Sequence, residues 1–297
     1  MPLVQLQPHP FTVIPLHPSL SAEGSRPDPK QFVATALREA VDLLHSIPST
    51  FQTDPKRRAS PPSQAKVKLL RGWRNSGEEK PEYWVARQSE HVDASEKGTA
   101  SWSEFEAGLR TNHAEHEMEY TPSVSGVEQL LAWSGEDIGE VVVDDITYKD
   151  VVFEINLITH SFHPSALISP RSFISLTISA AYNAPTQTEQ QTPLKGFITV
   201  QVPLSSDPST TPSEIHRKIT SSAPRRAVFA SYASVERVSL LPTEPNSIEW
   251  TMATTSDAGG SIPQWVQRNW TLGGVPRAVV ADVGLFIGWT MHRRRSS

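Results

Sequence analysis

The C-terminal segment of residues 226–292 constrains the fold more than any other part of the chain. Two runs, 226–241 and 247–255, alternate apolar and polar residues, which is typical of strands with one covered face. Gly259-Gly260 follows as a turn, after which apolar residues recur at helical spacing. This apolar stripe consists of Val279, Val283, Phe286, Ile287 and Thr290. The order predicts an antiparallel sheet whose concave side holds a long C-terminal helix.

The last helix is predicted to begin at Ser261, with Gln264 three residues later as its capping-box partner. Gly273-Gly274 interrupts the helical pattern, and Pro276 restarts it. The sequence leaves open whether the helix is continuous through Asn269–Gly274.

Upstream segments supply the remaining elements. Residues 29–46 have helical spacing, with Asp28 as the predicted N-cap. Residues 82–91 and 171–180 alternate as strands do. The same patterns predict a strand at 196–203 and a short helix at 101–109, the latter with Ser101 and Glu104 as a capping box. The pattern of 141–157 is mixed and favours neither type of element.

We expect one domain over residues 1–297, with a core from about residue 3 to residue 294. Polar, proline-containing segments predict flexible loops at 53–65, 183–193 and 204–224. The first of these contains Arg57-Arg58-Ala59-Ser60-Pro61, which has the form of a kinase target, although such short patterns also arise by chance.

Composition excludes several classes of protein. A net charge of −5 argues against a general nucleic-acid binder. The absence of cysteine fits a reducing compartment, and prolines break the N-terminal apolar run, so we expect a cytoplasmic protein without a secretory signal. The apolar stretch 278–291 is shorter than the about 20 residues that cross a bilayer, and Asp282 lies within it. We therefore predict no transmembrane segment.

No motif identifies catalytic chemistry. The chain has no Gly-x-Ser-x-Gly sequence and no cysteine nucleophile. His113 and His116 are three residues apart, whereas a helical zinc site of the His-Glu-x-x-His type needs a spacing of four. We expect that cluster to be solvated or locally hydrogen-bonded, and residues 256–260 to form a turn rather than an anion site. We predict no catalytic residue, no metal and no cofactor.

Three charged residues interrupt strand-like segments: Arg87, Arg171 and Glu236. Each either lies at an exposed strand edge or points into a cavity. A buried charge without a partner costs several kcal/mol, so the second case requires an internal ion pair or a ligand contact.

Several segments together resemble one family, the fungal START-like domain of unknown function within the START helix-grip superfamily. The residues that carry the resemblance are 84–91 (WVARQSEH), 98–105 (GTASWSEF), 119–122 (EYTP), 170–173 (PRSF), 232–236 (YASVE), 250–260 (WTMATTSDAGG), 262–266 (IPQWV) and 282–286 (DVGLF). The resemblance spans roughly residues 3–294 in order.

The resemblance implies an α+β helix-grip fold, a curved antiparallel sheet wrapped around a long C-terminal helix. In better-known START proteins the space between them holds a sterol, a phospholipid or another apolar molecule. The expected partner is therefore an apolar small molecule or lipid, with transient membrane contact as a further possibility. The predicted cavity lining is Ile174, Leu176, Ile198, Val200, Tyr232, Trp250, Met252, Val283, Phe286 and Ile287, with Arg87, Arg171 and Glu236 as its polar members.

Three functions remain open at this point. The first is non-enzymatic binding or transfer of a hydrophobic ligand. The second is an enzyme that resembles the polyketide cyclases of the same superfold, in which at least two of the polar groups Arg87, Arg171, Glu236 and Tyr232 converge in one cavity. The third is a protein-interaction scaffold whose core is filled by its own side chains.

Overall fold

The computed structural model describes residues 1–20, 25–75, 77, 80–162, 168–184 and 194–296. Its main sheet has the strand order β1-β3-β4-β12-β11-β9-β8-β7-β5, and the pairs along this path are antiparallel. The strands are β1 (Gln52–Thr53), β2 (Arg58–Ala59), β3 (Lys66–Arg74), β4 (Glu82–Val92), β5 (Val124–Trp133), β6 (Val141–Val143), β7 (Ile146–His160), β8 (Arg171–Ala184), β9 (Leu194–Pro203), β10 (Val228–Phe229), β11 (Ser231–Leu241) and β12 (Ser247–Asp257). The short strands β2, β6 and β10 pair with β3, β7 and β8 beside this path.

The α-helices occupy both faces of this sheet. They are α1 (Pro29–Thr50), α2 (Trp102–Leu109), α3 (His113–Tyr120), α4 (Gly135–Ile138), α5 (Ser213–Ser222), α6 (Gln264–Gln267) and α7 (Val275–Ser296). Adjacent residues of β9 fall in different hydrophobic clusters: Ile198 packs with α1, whereas Phe197 packs with α7. The sheet is therefore sandwiched between α1 on one face and α7, with α2, on the other.

The predicted helix ends are confirmed at two places. Asp28 caps α1 by accepting a hydrogen bond from the Gln31 backbone N–H at 2.9 Å. Ser101 and Glu104 form the predicted capping box of α2. The buried faces of both helices contain the apolar residues that the periodicity identified.

The last helix differs from its prediction at its start. Ser261 does not cap it, because α6 is a separate turn that begins at Gln264 after Pro263. Residues 268–274 separate α6 from α7, so the helix is not continuous through Asn269–Gly274. The stripe of α7 is buried against the sheet as expected. Among the described helices, none combines the length and apolar character needed to span a bilayer.

The segments expected to be loops contain regular structure. Residues 53–65 include β2 and place the Ser60 side chain in the protein interior. Residues 204–224 include α5, whose Ile215 and Ile219 are buried. The prediction missed α5 because its two apolar residues stand four apart in an otherwise polar segment. In 183–193, the first two residues extend β8, and 185–193 lie outside the described residues.

These elements form the helix-grip arrangement, in which one antiparallel sheet wraps against a C-terminal helix. The cavity expected from the sequence would lie at the interface between α7 and the sheet. The residues that approach each other there define the candidate site.

Candidate functional site

A row of three residues crosses neighbouring strands beneath α7. Met252 on β12 pairs with Arg87 on β4 and with Glu236 on β11. Because paired residues of adjacent strands project from the same face, the two charged side chains flank Met252. Strand register thus brings together two of the three charged residues that the sequence singled out.

Arg87 and Glu236 form a buried ion pair. Arg87 Nη2 lies 3.1 Å from Glu236 Oε1, and the two side chains are only 1% and 8% exposed. The Trp250 indole N–H donates to the same carboxylate oxygen at 2.7 Å, and the guanidinium carbon lies 3.9 Å from the centre of a Trp250 ring. The other two guanidinium nitrogens, Nε and Nη1, have no hydrogen-bond partner among the described residues. Arg87 therefore retains unused donors in the interior.

Helices α3 and α7 close the space above this pair. His113, Glu117 and Tyr120 lie along one side of α3, and Asp282 projects from α7. Together with Tyr232 and Met252 they line a cavity of about 30 Å³. A space of this size accommodates a hydroxyl group or a water molecule, but not the body of a lipid.

Burial shifts Asp282 and Glu117 toward their neutral forms. It raises the pKa of Asp282 from 3.8 to about 7, with Glu117 and Glu236 adding to the shift and Arg87 opposing it. Burial also raises the pKa of Glu117, to which the nearby Glu236 contributes and which His113 opposes. The pKa of Tyr232 and that of Tyr120 are raised as well, again mainly by burial. The cavity is thus acid-rich around one arginine.

Asp282→Asn tests this electrostatic arrangement. Unfolded Asp282 loses its proton above about 4, whereas the folded protein retains it up to about 7, so rising pH removes stability across this interval. One pKa unit corresponds to about 1.4 kcal/mol. Because the side chain is half-buried, we expect a smaller effect than full burial would give: Asp282→Asn should gain about 2 kcal/mol of unfolding free energy over wild type between about pH 4 and pH 8.

The measurement is urea unfolding of both proteins across that pH range. His91 is buried, and burial lowers its pKa to about 3. Below about pH 6 this histidine makes the stability of each protein rise with pH, opposite to the effect of Asp282. Because both proteins contain His91, its contribution cancels in the difference between their unfolding free energies. Asp42→Asn, on the exposed face of α1, controls for loss of an aspartate charge. A difference between Asp282→Asn and wild type that does not change with pH would contradict the assignment.

Aromatic rings fill the apolar part of the interface. The ring centres of Phe105, Trp250 and Phe286 lie 5.0–5.4 Å apart in all three pairings. Tyr120 reaches the same cluster, 5.9 Å from Phe286. These rings occupy the volume that an apolar ligand would need, so a ligand is accommodated only if α7 or α3 moves away from the sheet.

A groove of about 610 Å³ runs along the outer side of α7. Tyr120 lines both this groove and the internal cavity, so it stands between them. The Ser60-Pro61-Pro62 segment forms one wall, against Gly284 and Gly288 of α7. Only movement of the Tyr120 side chain would join the groove to the cavity at this point.

Ser60 binds directly to the backbone of α7. Its hydroxyl donates to the Val280 carbonyl at 2.6 Å and accepts from the Gly284 N–H at 2.8 Å. These are the two groups that an uninterrupted helix joins to each other. Ser60 is 3% exposed, so in this arrangement its hydroxyl is not accessible to a kinase.

The predicted cavity lining divides between the two faces of the sheet. Trp250, Val283, Phe286 and Ile287 pack in the α7 interface, beside the partly buried Met252. Tyr232 lies at the polar cavity. Ile174, Leu176, Ile198 and Val200 instead pack against α1 on the opposite face. This corrects their placement: alternation identified a buried face, but both faces are buried, and α1 covers the more apolar one.

Arg171 lies away from the cavity. Its Nε donates to the Ala258 carbonyl at 3.1 Å and its Nη1 to the Ser169 carbonyl at 2.5 Å. It therefore ties the β12–α6 connection to the start of β8. The structure does not bring it together with Arg87 and Glu236.

Four of the cavity residues named above, His113, Glu117, Tyr120 and Asp282, were not predicted as cavity lining. His113 and Glu117 belong to the cluster that was expected to be solvated or locally hydrogen-bonded. The spacing of four from His113 to Glu117, and of three from Glu117 to Tyr120, places these residues on one side of α3. The signal for Asp282 was an acid inside an apolar helix. Within the described ranges, no group of three or more His, Asp or Glu side chains is arranged to hold a metal ion.

Comparisons with known proteins agree with this architecture. The profile of the family described as "Protein of unknown function (DUF3074)" matches residues 84–290. No curated protein sequence matches the chain. The human StAR-related lipid transfer protein 5 is similar in structure, with a TM-score of 0.52 at 10% identity over 90% of this chain and 98% of that one. Human STARD10 is similar at a TM-score of 0.51 and 11% identity, over 94% and 86%. At this identity the likeness establishes the fold: a START-type helix grip.

Proposed function

Since the chain belongs to the family described as protein of unknown function (DUF3074), whose description states no activity, we propose a function from its own site. The protein binds one apolar ligand of the lipid or sterol class between α7 and the sheet. The polar end of the ligand contacts Arg87, and its body replaces the aromatic contacts under α7. The observation that carries this proposal is a buried arginine with two guanidinium nitrogens, Nε and Nη1, that have no hydrogen-bond partner among the described residues.

A buried donor without an acceptor costs about 1–3 kcal/mol, and more for a charged group. A ligand oxygen next to Arg87 Nε and Nη1 offsets that cost. Burial of the apolar body contributes about 25 cal/mol per Å² beyond this. The lipid-transfer name of a structurally similar human protein supports the same class of ligand.

The three acids around Arg87 restrict what the polar end can be. Glu117, Glu236 and Asp282 all line the cavity, so a phosphate or carboxylate there would be repelled by the Glu236 carboxylate, and by Glu117 and Asp282 whenever they lose their protons. A hydroxyl suits the site better, because it accepts from Arg87 and donates to a carboxylate. The ligand class we propose is therefore apolar with a neutral hydroxyl end, rather than an anionic phospholipid.

The test uses native mass spectrometry. The protein is purified from a eukaryotic host, stripped, and incubated with a sterol, with the methyl ether of the same sterol, and with phosphatidic acid. We expect a 1:1 sterol complex, at least roughly tenfold weaker binding of the ether because it cannot donate to the acids, and no retained phosphatidic acid. Absence of any apolar complex would contradict the proposal and favour a scaffold with a filled core. Retention of phosphatidic acid would contradict only the hydroxyl specificity.

A second function, catalysis in the same cavity, is favoured by one observation. Arg87, Glu236 and Tyr232 converge there, which is the condition stated for a cyclase-like enzyme. Asp282, with a pKa of about 7, is placed to exchange a proton near neutral pH. Recovery of the bound ligand chemically altered after incubation would support catalysis, and recovery of the unaltered ligand would support binding alone.

A further inference from the structure

Two neighbouring segments at one end of the sheet carry basic charge only. Residues 224–229 and 258–277 contain Arg225, Arg226, Arg268 and Arg277, and neither contains an aspartate or glutamate. The net charge of these segments is thus positive, whereas that of the whole chain is −5. Both segments lie outside the candidate cavity.

The two segments contact each other. A Cβ atom on Gly259 would lie 2.8 Å from the Phe229 carbonyl oxygen, and one on Gly260 would lie 3.6 Å from Val228 Cγ1. The Arg171 hydrogen bond to Ala258 fixes the second segment to β8, which also pairs with β10. The two segments therefore touch each other at the Gly259-Gly260 turn.

The two segments expose large apolar side chains. Phe229 is 39% exposed, Trp265 is 64% exposed and Leu272 is 52% exposed. Leu272 is presented by an ordered turn, in which Asn269 Oδ1 accepts from the Thr271 and Leu272 backbone N–H groups. Trp265 projects from α6, and Arg268 of the next turn stacks over Trp73 and Tyr83, at 4.7 and 5.2 Å from their ring centres. The exposed Trp265 and Leu272 side chains are therefore presented by a helix and a hydrogen-bonded turn.

We propose that this basic apolar patch, Phe229, Trp265 and Leu272 with the four arginines, docks on a membrane surface that contains anionic lipids. Indole and aliphatic side chains partition into the interfacial region of a bilayer. Each nearby arginine adds an attraction to anionic headgroups. Both segments lack acidic residues, which matches an extended negative surface, and the neighbouring Asp257 carboxylate is engaged by the Gly259 backbone N–H at 2.9 Å. The proposal does not depend on what occupies the cavity.

The test is cosedimentation with vesicles of phosphatidylcholine alone or of phosphatidylcholine with phosphatidylserine. We expect binding that requires phosphatidylserine and weakens as salt increases. Trp265→Ser with Leu272→Ser should lower the partition coefficient roughly tenfold or more, and Arg225→Gln with Arg226→Gln by a similar factor. Val142→Ser, 60% exposed on β6, and Arg38→Gln, exposed on α1, are the matched controls and should leave the coefficient unchanged.

Equal binding to both vesicle types, no binding to either, or equal losses in the control variants would overturn the proposal. Sedimentation velocity without lipid tests whether the patch instead mediates self-association. A concentration-dependent dimer that Trp265→Ser dissociates would also overturn it, and would assign the patch to self-association. Because no cavity ligand enters this assay, its failure is distinct from failure of the lipid-binding proposal.

Discussion

Arg87→Met is expected to lower the free energy of unfolding by about 3–5 kcal/mol. Methionine keeps much of the side-chain volume but removes the guanidinium that neutralises Glu236 in the interior. The carboxylate would keep only the Trp250 indole donor and would face Asp282 and Glu117 across the cavity. Urea unfolding at neutral pH, monitored by tryptophan fluorescence, measures the loss.

Two variants establish that the loss comes from the unpaired charge. Arg87→Met with Glu236→Gln removes both charges, so it should recover a large part of the lost stability. Arg237→Met breaks a half-buried pair with Glu249, whose closest atoms are 3.5 Å apart, and should cost less than about 1 kcal/mol. An Arg87→Met loss as small as that of Arg237→Met would show that the interior pair is not isolated from solvent.

Local patterns predicted α1, α2, α7 and the strands β4, β8, β9, β11 and β12 because the cause of these elements is local. The strand predicted at 82–91 is observed as β4, and the predicted N-cap Asp28 and the α2 capping box are present. The pattern of 141–157 was ambiguous because β7 is buried along most of its length and a register shift between Lys149 and Val152 breaks its alternation. Apolar–polar alternation does not identify a strand when both faces of the sheet are covered or when the strand pairing contains a register shift.

The assembly of the site depends on contacts between distant segments. Charge within strands identified Arg87 and Glu236, but their pairing follows from the register of β4, β12 and β11. The sequence could not tell which helix covers which face, so four residues of the α1 side were grouped with the α7 side. Asp282 and Glu117 become neighbours only when α7 and α3 pack over the sheet. Composition of one segment cannot show that.

Gly284→Ala is expected to destabilise the protein by about 3 kcal/mol, although alanine favours a helix by about 1 kcal/mol over glycine. The added Cβ would lie 2.3 Å from the Pro61 carbonyl oxygen and 2.7 Å from the Ser60 carbonyl oxygen. Both atoms are backbone, so relief requires the Ser60–Pro62 segment to leave α7. The Ser60 hydroxyl would then lose its bonds to Val280 and Gly284.

Gly288→Ala is the matched control, because it gives the same gain in helix propensity one turn later. Its Cβ would meet Pro62 at 3.5 Å, an ordinary contact, so we expect a gain of about 0.5–1 kcal/mol. Denaturant unfolding of both variants isolates the clash as their difference. Equal gains in unfolding free energy for the two variants would show that the Ser60–Pro62 segment moves away from the added Cβ without loss of stability. A loss confined to Gly284→Ala would mean that Ser60–Pro62 holds α7 against the sheet, two residues from Asp282, and so sets how readily the cavity opens.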